Sequence, residues 1–115
     1  MQVAVTNRED GVAVVAVYGS IDVDTAPELR KTMHALFDAG GTRVVIDLSG
    51  VEFCDSIGLG TFAYGHNHCV ASDGFLRLVG PSPFLARLLR TVGIAGPVPV
   101  YDTLGDALSA GPPTA

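Results

Sequence analysis

The chain has 115 residues, 48% of them hydrophobic, and a formal net charge of −5 with only 7 Lys and Arg. That length is one domain's worth, and the apolar share is enough for a core. An acidic chain without a basic run lacks the charge that nucleic acid or an anionic membrane surface requires of a partner. No stretch approaches the ~20 apolar residues of a membrane span, and Met1 to Val5 has no basic signal-peptide region, so a cytoplasmic protein is expected.

Gln2 to Thr6 and Val12 to Tyr18 read as two strands joined by a hairpin, with Asp10-Gly11 as its turn and Gly19 as the second strand's end. The first helix follows Asp22-Val23-Asp24-Thr25. Thr25 and Glu28 have capping-box spacing, and Pro27 falls in the first turn, where its missing N–H costs nothing. Leu29, Met33, Leu36 and Phe37 make its core stripe, Arg30, Lys31, His34 and Asp38 lie off it, and Gly40-Gly41 stops it.

Val44 to Leu48 is β-branched and apolar, as in a parallel strand buried on both faces. A turn at Ser49-Gly50 is expected after it. Asp55 is placed to cap a helix running from Ser56 to about Ala71, because its carboxylate can accept from free first-turn N–H groups. Leu59, Phe62, Ala63, His66, Cys69 and Val70 fall on one side of that helix; Ile57, Thr61, Tyr64 and His68 fall on the other and are expected to be exposed. Gly58, Gly60 and Gly65 each cost about 1 kcal/mol of helix propensity relative to Ala, which points to close packing or close approach of a partner.

Phe75 to Val79 is a fourth strand. Ser82-Pro83 opens a third helix with Leu85, Leu88, Leu89 and Val92 as its stripe and Gly93 as its stop. Val98 to Tyr101 is a short edge strand, Asp102 or Thr103 caps a last helix from Leu104 to Ser109, and residues 111–115 read as a disordered tail. The order ββαβαβαβα predicts an α/β fold: residues 1–110 form one domain with a mixed sheet and helices packed mainly on one side.

No enzyme signature emerges. Gly58-Leu59-Gly60 lacks the third glycine of a dinucleotide fingerprint, and no P-loop exists. Position 54 is Cys where a nucleophile elbow needs Gly, and His66 and His68 are at least two turns from Ser56, too far to serve as its base. His66 and Cys69 offer two metal ligands without an evident third. No cofactor and no metal are expected. Cys54 and Cys69, at the two ends of one helix, are more than ~20 Å apart and read as reduced, buried thiols. Asp22, Asp24, Asp47 and Asp55 read either as loop and cap carboxylates or as an acidic rim around Ser56. By position alone, Ser56 is a helix-start serine that satisfies backbone.

Asp55-Ser56-Ile57-Gly58-Leu59-Gly60 after Val44 to Leu48 resembles the signature of STAS domains, closest to the bacterial anti-sigma-factor antagonists. Gly19-Ser20-Ile21-Asp22 and the stretch from Leu88 to Leu108 extend the likeness to nearly the whole chain, Gln2 to Leu108. Two residues depart from the pattern: Cys54 stands where an aliphatic residue is commoner, and Ile57 replaces a second hydroxyl residue, leaving Ser56 as the motif's one phosphoacceptor.

The resemblance implies the STAS fold and a switch rather than an enzyme. The unphosphorylated form would bind an anti-sigma serine kinase and free a sigma factor. The kinase would then phosphorylate Ser56 and break the complex, and a serine phosphatase would reset it. Asp22, Asp55, Ile57, Gly58, Leu59, Thr61 and Tyr64 are the expected partner-binding residues, on a monomer or weak dimer that binds neither nucleic acid nor membrane. The alternative is a fixed STAS interaction subunit of a signalling scaffold or transport complex, with Ser56 unmodified.

Overall fold

The computed structural model of the chain describes residues 1–111; the rest of the expected tail, 112–115, lies outside the described residues. The elements are β1 (Gln2–Asn7), β2 (Ala13–Ile21), α1 (Ala26–Asp38), β3 (Arg43–Cys54), α2 (Ser56–Ala71), β4 (Phe75–Val79), α3 (Pro83–Thr91), β5 (Val100–Tyr101) and α4 (Leu104–Ser109), in the expected order. The strands form one five-stranded sheet, β1-β2-β3-β4-β5, antiparallel at the first pair and parallel thereafter.

Strand alternation assigns the two faces. Val15, Val17, Ile46, Leu76 and Leu78 point to the side where α1, α2 and α3 deliver Leu29, Met33, Phe62, Leu85 and Leu89, and this is the main core. Val12, Val45 and Val79 point the other way, where α4 covers them with Ala107, Leu104 and Leu108. Helices therefore pack mainly on one side, as expected. Gly40 and Gly93 follow α1 and α3 with φ of +87° and +80°, the left-handed conformation that ends a helix.

Several boundaries differ from the sequence reading. β2 runs on through Gly19 to Ile21. β3 is 12 residues long and passes straight through Ser49-Gly50 to Cys54. Turn chemistry is present there, since Asp47 Oδ1 accepts from the Ser49 N–H (3.0 Å) and hydroxyl (2.7 Å). The backbone nevertheless stays paired with β2, and shifts of register between Ala16 and Tyr18 and between Gly19 and Ser20 absorb the irregularity. β5 is shorter than expected, with Val98 making only an isolated bridge to Ala95.

The capping box of α1 does not form. Thr25 makes no side-chain cap bond; its hydroxyl accepts from the Asp22 N–H (2.9 Å) and donates to the Ser20 carbonyl (2.8 Å). Val70 and Val92, expected in core stripes, are exposed. At the chain's end, the Gly111 carbonyl accepts from Arg77 Nη2 at 2.5 Å.

Candidate functional site: the junction at Ser56

Ile21 and Cys54 are paired at the ends of β2 and β3, so the loops leaving the two strands emerge side by side. The Asp55 N–H donates to the Ile21 carbonyl at 3.1 Å, tying the loops together. Asp55 then caps α2 as the sequence predicts, its Oδ1 accepting from the Gly58 N–H at 2.9 Å. Gly58 lets the helix start sit this low: a Cβ there would lie 2.7 Å from Cys54 Sγ and 2.8 Å from the Ile21 carbonyl oxygen. The junction needs a glycine at this position because the end of β2 is pressed against the helix.

Ser56 is the first residue of α2 and is exposed. The first turn of a helix has N–H groups without intrahelical partners and the positive end of the macrodipole. A hydroxyl here is open to a modifying enzyme, and an anion placed on it has donors and a favourable field close by.

The expected partner-binding residues divide into two groups. Asp22, Asp55 and Ile57 stand at the junction with Ser56, the carboxylates half-buried and Ile57 51% exposed. Asp22 Oδ1 is committed to its loop, accepting from the N–H groups of Asp24 (3.0 Å) and Thr25 (3.1 Å). Gly58, Leu59 and Thr61 are buried; of the three only Thr61 was expected on the exposed side of the helix, and its burial corrects that expectation. Thr61 is wholly inaccessible, and its hydroxyl turns back to the Ile57 carbonyl at 3.4 Å, so it behaves as a core residue. Tyr64 is half-buried against α1: its hydroxyl meets His34 Nε2, Arg30 lies 5.0 Å above its ring, and Phe37 packs beside it. His68 is exposed but stacks on Phe37 at 3.9 Å. The face expected to be free is thus partly the seam between the first two helices, while Ile57 and His68 are exposed as expected.

Two exposed apolar side chains at the junction were missed: Val23, between Asp22 and Asp24, and Phe53, one residue before Cys54. Phe53 would have been legible had β3 been read to its true end, since alternation opposes it to buried Cys54. Of the acidic rim, Asp22, Asp24 and Asp55 gather here. Asp47 does not: it pairs with Val79 lower in the sheet, roughly 20 Å back along β3.

Both cysteines are free and buried, as expected. Burial, and after it the Asp55 charge, push the Cys54 thiol up to about 12; burial alone pushes Cys69 up to about 11. Neither is a ready nucleophile. Among the described residues no three His, Cys, Asp or Glu side chains are grouped to hold a metal ion, and no helix is long and apolar enough to cross a membrane.

A mixed five-stranded sheet carrying an exposed serine at this strand–helix junction defines a STAS domain, and the STAS family model matches residues 4–107. The anti-sigma-F factor antagonist RsfB of Mycobacterium tuberculosis is 33% identical over 100 residues, spanning 87% of this chain and 81% of that protein. The anti-sigma-B factor antagonist of Staphylococcus aureus is 30% identical over 89 residues, 77% of this chain and 82% of that one. The crystal structure of an anti-sigma factor antagonist from Mycobacterium paratuberculosis superposes with a TM-score of 0.85 at 35% identity, covering 94% of this chain and 91% of that one. The chain belongs to the STAS-domain family, among the anti-sigma-factor antagonists, which are regulatory proteins rather than enzymes.

Proposed function

We propose that this protein is a cytoplasmic phosphorylation switch: it binds an anti-sigma serine kinase in its unphosphorylated form, thereby freeing a sigma factor, and is released when the kinase phosphorylates Ser56. A serine phosphatase restores the binding form. The observation that carries this reading is the exposure of Ser56 at the first position of α2, beside Asp55 and the exposed apolar groups Ile57, Val23 and Phe53. Ile57 carries no hydroxyl, so Ser56 is the one acceptor at the helix start.

The mechanism follows from charge. Phosphate adds roughly −1.5 to −2 charges at neutral pH. The helix terminus accommodates that charge within the protein. A partner fitted to a neutral hydroxyl meets added bulk and an anion beside Asp22, Asp24 and Asp55, and burying that anion unpaired is costly.

The test is calorimetric titration of wild type, phosphoprotein, Ser56→Ala and Ser56→Asp against a purified anti-sigma kinase from the same organism. Wild type and Ser56→Ala are expected to bind alike, Ser56→Asp more weakly, and phosphoprotein weakest. Equal affinity of wild type and phosphoprotein would replace the switch with a fixed interaction subunit whose serine is structural.

A further inference from the structure

The outer face of the sheet is covered unevenly. α4 closes over Val12, Val45 and Val79. β3 pairs with β4 only as far as Asp47, but it runs on beside β2 to the pair Ile21–Cys54. On this extension Val17, Ile21, Val51 and Cys54 point into the main core, so alternation turns Tyr18, Ser20 and Phe53 to the outer face. Tyr18 and Phe53 are each 49% exposed, and neither packs into either core. Tyr18 is opposite Gly50 and Ser20 is opposite Phe53, so the two aromatic side chains stand on adjoining strands, one step apart. The Tyr18 ring lies over Gly50, where a Cβ would collide with it. A ring fixed on a strand loses little freedom on binding, which suits it to anchor an interface.

This patch is continuous with the junction at Ser56. Phe53 is followed by Cys54, Asp55 and Ser56, and Ser20 by Ile21 and Asp22, in the two loops tied by the Asp55–Ile21 bond. Of the eight large apolar side chains exposed among the described residues, four gather at this end of the sheet: Tyr18, Val23, Phe53 and Ile57. Gathering of that kind marks a contact surface, where scattered apolar groups would not.

Area points the same way. A stable protein contact buries about 800 Å² on each partner. The α2 side of the junction supplies less than its sequence suggests, because Gly58, Leu59 and Thr61 are buried and Tyr64 is held in the α1–α2 seam. The nearest exposed aromatic side chains lie over the end of the sheet, on its outer face.

We propose that Tyr18 and Phe53 form a second contact for the anti-sigma partner that binds at Ser56, which reaches over the end of the sheet onto its outer face. The inference rests on the reading of Ser56 as a partner contact. A partner seated on Ser56 and Ile57 meets Phe53 three residues away, so the same body covers both. A second copy of this chain fits poorly: docked face to face it would set Asp22, Asp24, Glu52 and Asp55 against their own like.

The test is calorimetric titration of the full chain against a purified anti-sigma kinase from the same organism, with circular dichroism to establish that each variant is folded. Phe53→Ala and Tyr18→Ala are each expected to weaken binding at least about fivefold, and Phe84→Ala, exposed on α3, to leave it within about twofold. Gly50→Ala, which displaces the Tyr18 ring, should weaken binding as Tyr18→Ala does. Wild-type affinity in either folded Phe53→Ala or Tyr18→Ala, or an equal loss in Phe84→Ala, would overturn this inference and leave the Ser56 switch standing. No binding by the wild type would overturn both. If a variant does not fold, nitration of the wild-type protein decides: Tyr18 should react more slowly in the complex than in the free chain, read by peptide mass, and equal rates would overturn the second contact.

Discussion

Gly58 and Gly60 are two residues apart in one helix and meet opposite surroundings. A Cβ on Gly58 would collide with Cys54 and the backbone of Ile21, whereas a Cβ on Gly60 would meet nothing within 4 Å. Gly58→Ala must push the helix start off β2, and about 1–3 kcal/mol of lost stability is expected, as for overpacking elsewhere. Gly60→Ala only removes backbone freedom from an exposed helical site and should stabilise by up to about 1 kcal/mol. Urea denaturation of both variants, followed by circular dichroism, checks the pair; equal effects would remove the packing argument for Gly58. At this scale the sequence was partly legible. Ser56 and Asp55 stood out, because capping chemistry is local. Thr61 did not, because a helical projection cannot show which of two flanking elements closes over a small polar residue.

The elements that were misjudged have physical reasons. Ser49-Gly50 reads as a turn, and Asp47 does fold its carboxylate onto Ser49. Pairing with β2 overrides that local preference, and Gly50 is used instead for room: a Cβ there would lie 2.4 Å from the Tyr18 ring. Thr25 had the spacing of a capping box, but its hydroxyl is taken by the β2–α1 loop. The outward face assigned to α2 is partly the α1–α2 seam, since Tyr64 touches Arg30, His34 and Phe37. Sequence periodicity marks a helix's apolar side; it does not show where a neighbouring helix ends. Tyr64→Ala should therefore lower stability, by about 1–3 kcal/mol for a half-buried ring, where a free partner-facing tyrosine would cost almost nothing. Tyr64→Phe keeps the packing and loses only the His34 contact, so it should recover most of the loss. Thermal unfolding of the two variants tests this, and an unchanged melting temperature in Tyr64→Ala would return Tyr64 to the surface.

Across the whole molecule, element order and the placement of the main core were readable because each strand and helix carries its own period and stop signals. The second layer was less so. The sequence does not announce that α4 is fixed to the outer face by Arg77, which is 4% exposed. No carboxylate pairs with it among the described residues. Its Nη1 donates to the carbonyls of Ala107 (2.9 Å) and Ala110 (3.3 Å), its Nη2 to that of Gly111, and the guanidinium lies 3.8 Å above the Phe75 ring. The carbonyls at and beyond the last turn of α4 thus supply the negative end that the buried cation needs, and the planar fork reaches them together. Arg77→Met keeps a stem to pack on Phe75 and removes every one of these bonds. Since hydrogen bonds to a charged group are each worth about 1.5–3 kcal/mol, and the freed carbonyls near the chain's end regain water, a net loss of about 2–4 kcal/mol is expected. Arg77→Lys keeps the charge but not the fork, and should fall between. The loss should be local: hydrogen exchange is expected to rise in α4 and β5 while α2, on the opposite face of the sheet, keeps its protection, because Ser56 and its loops share no hydrogen bond with α4. Binding through the Ser56 end should then survive in Arg77→Met at temperatures where the variant is folded. Uniformly faster exchange in α2 and α4 would mean instead that the two layers unfold as one unit, and that Arg77 supports the whole domain rather than its outer helix.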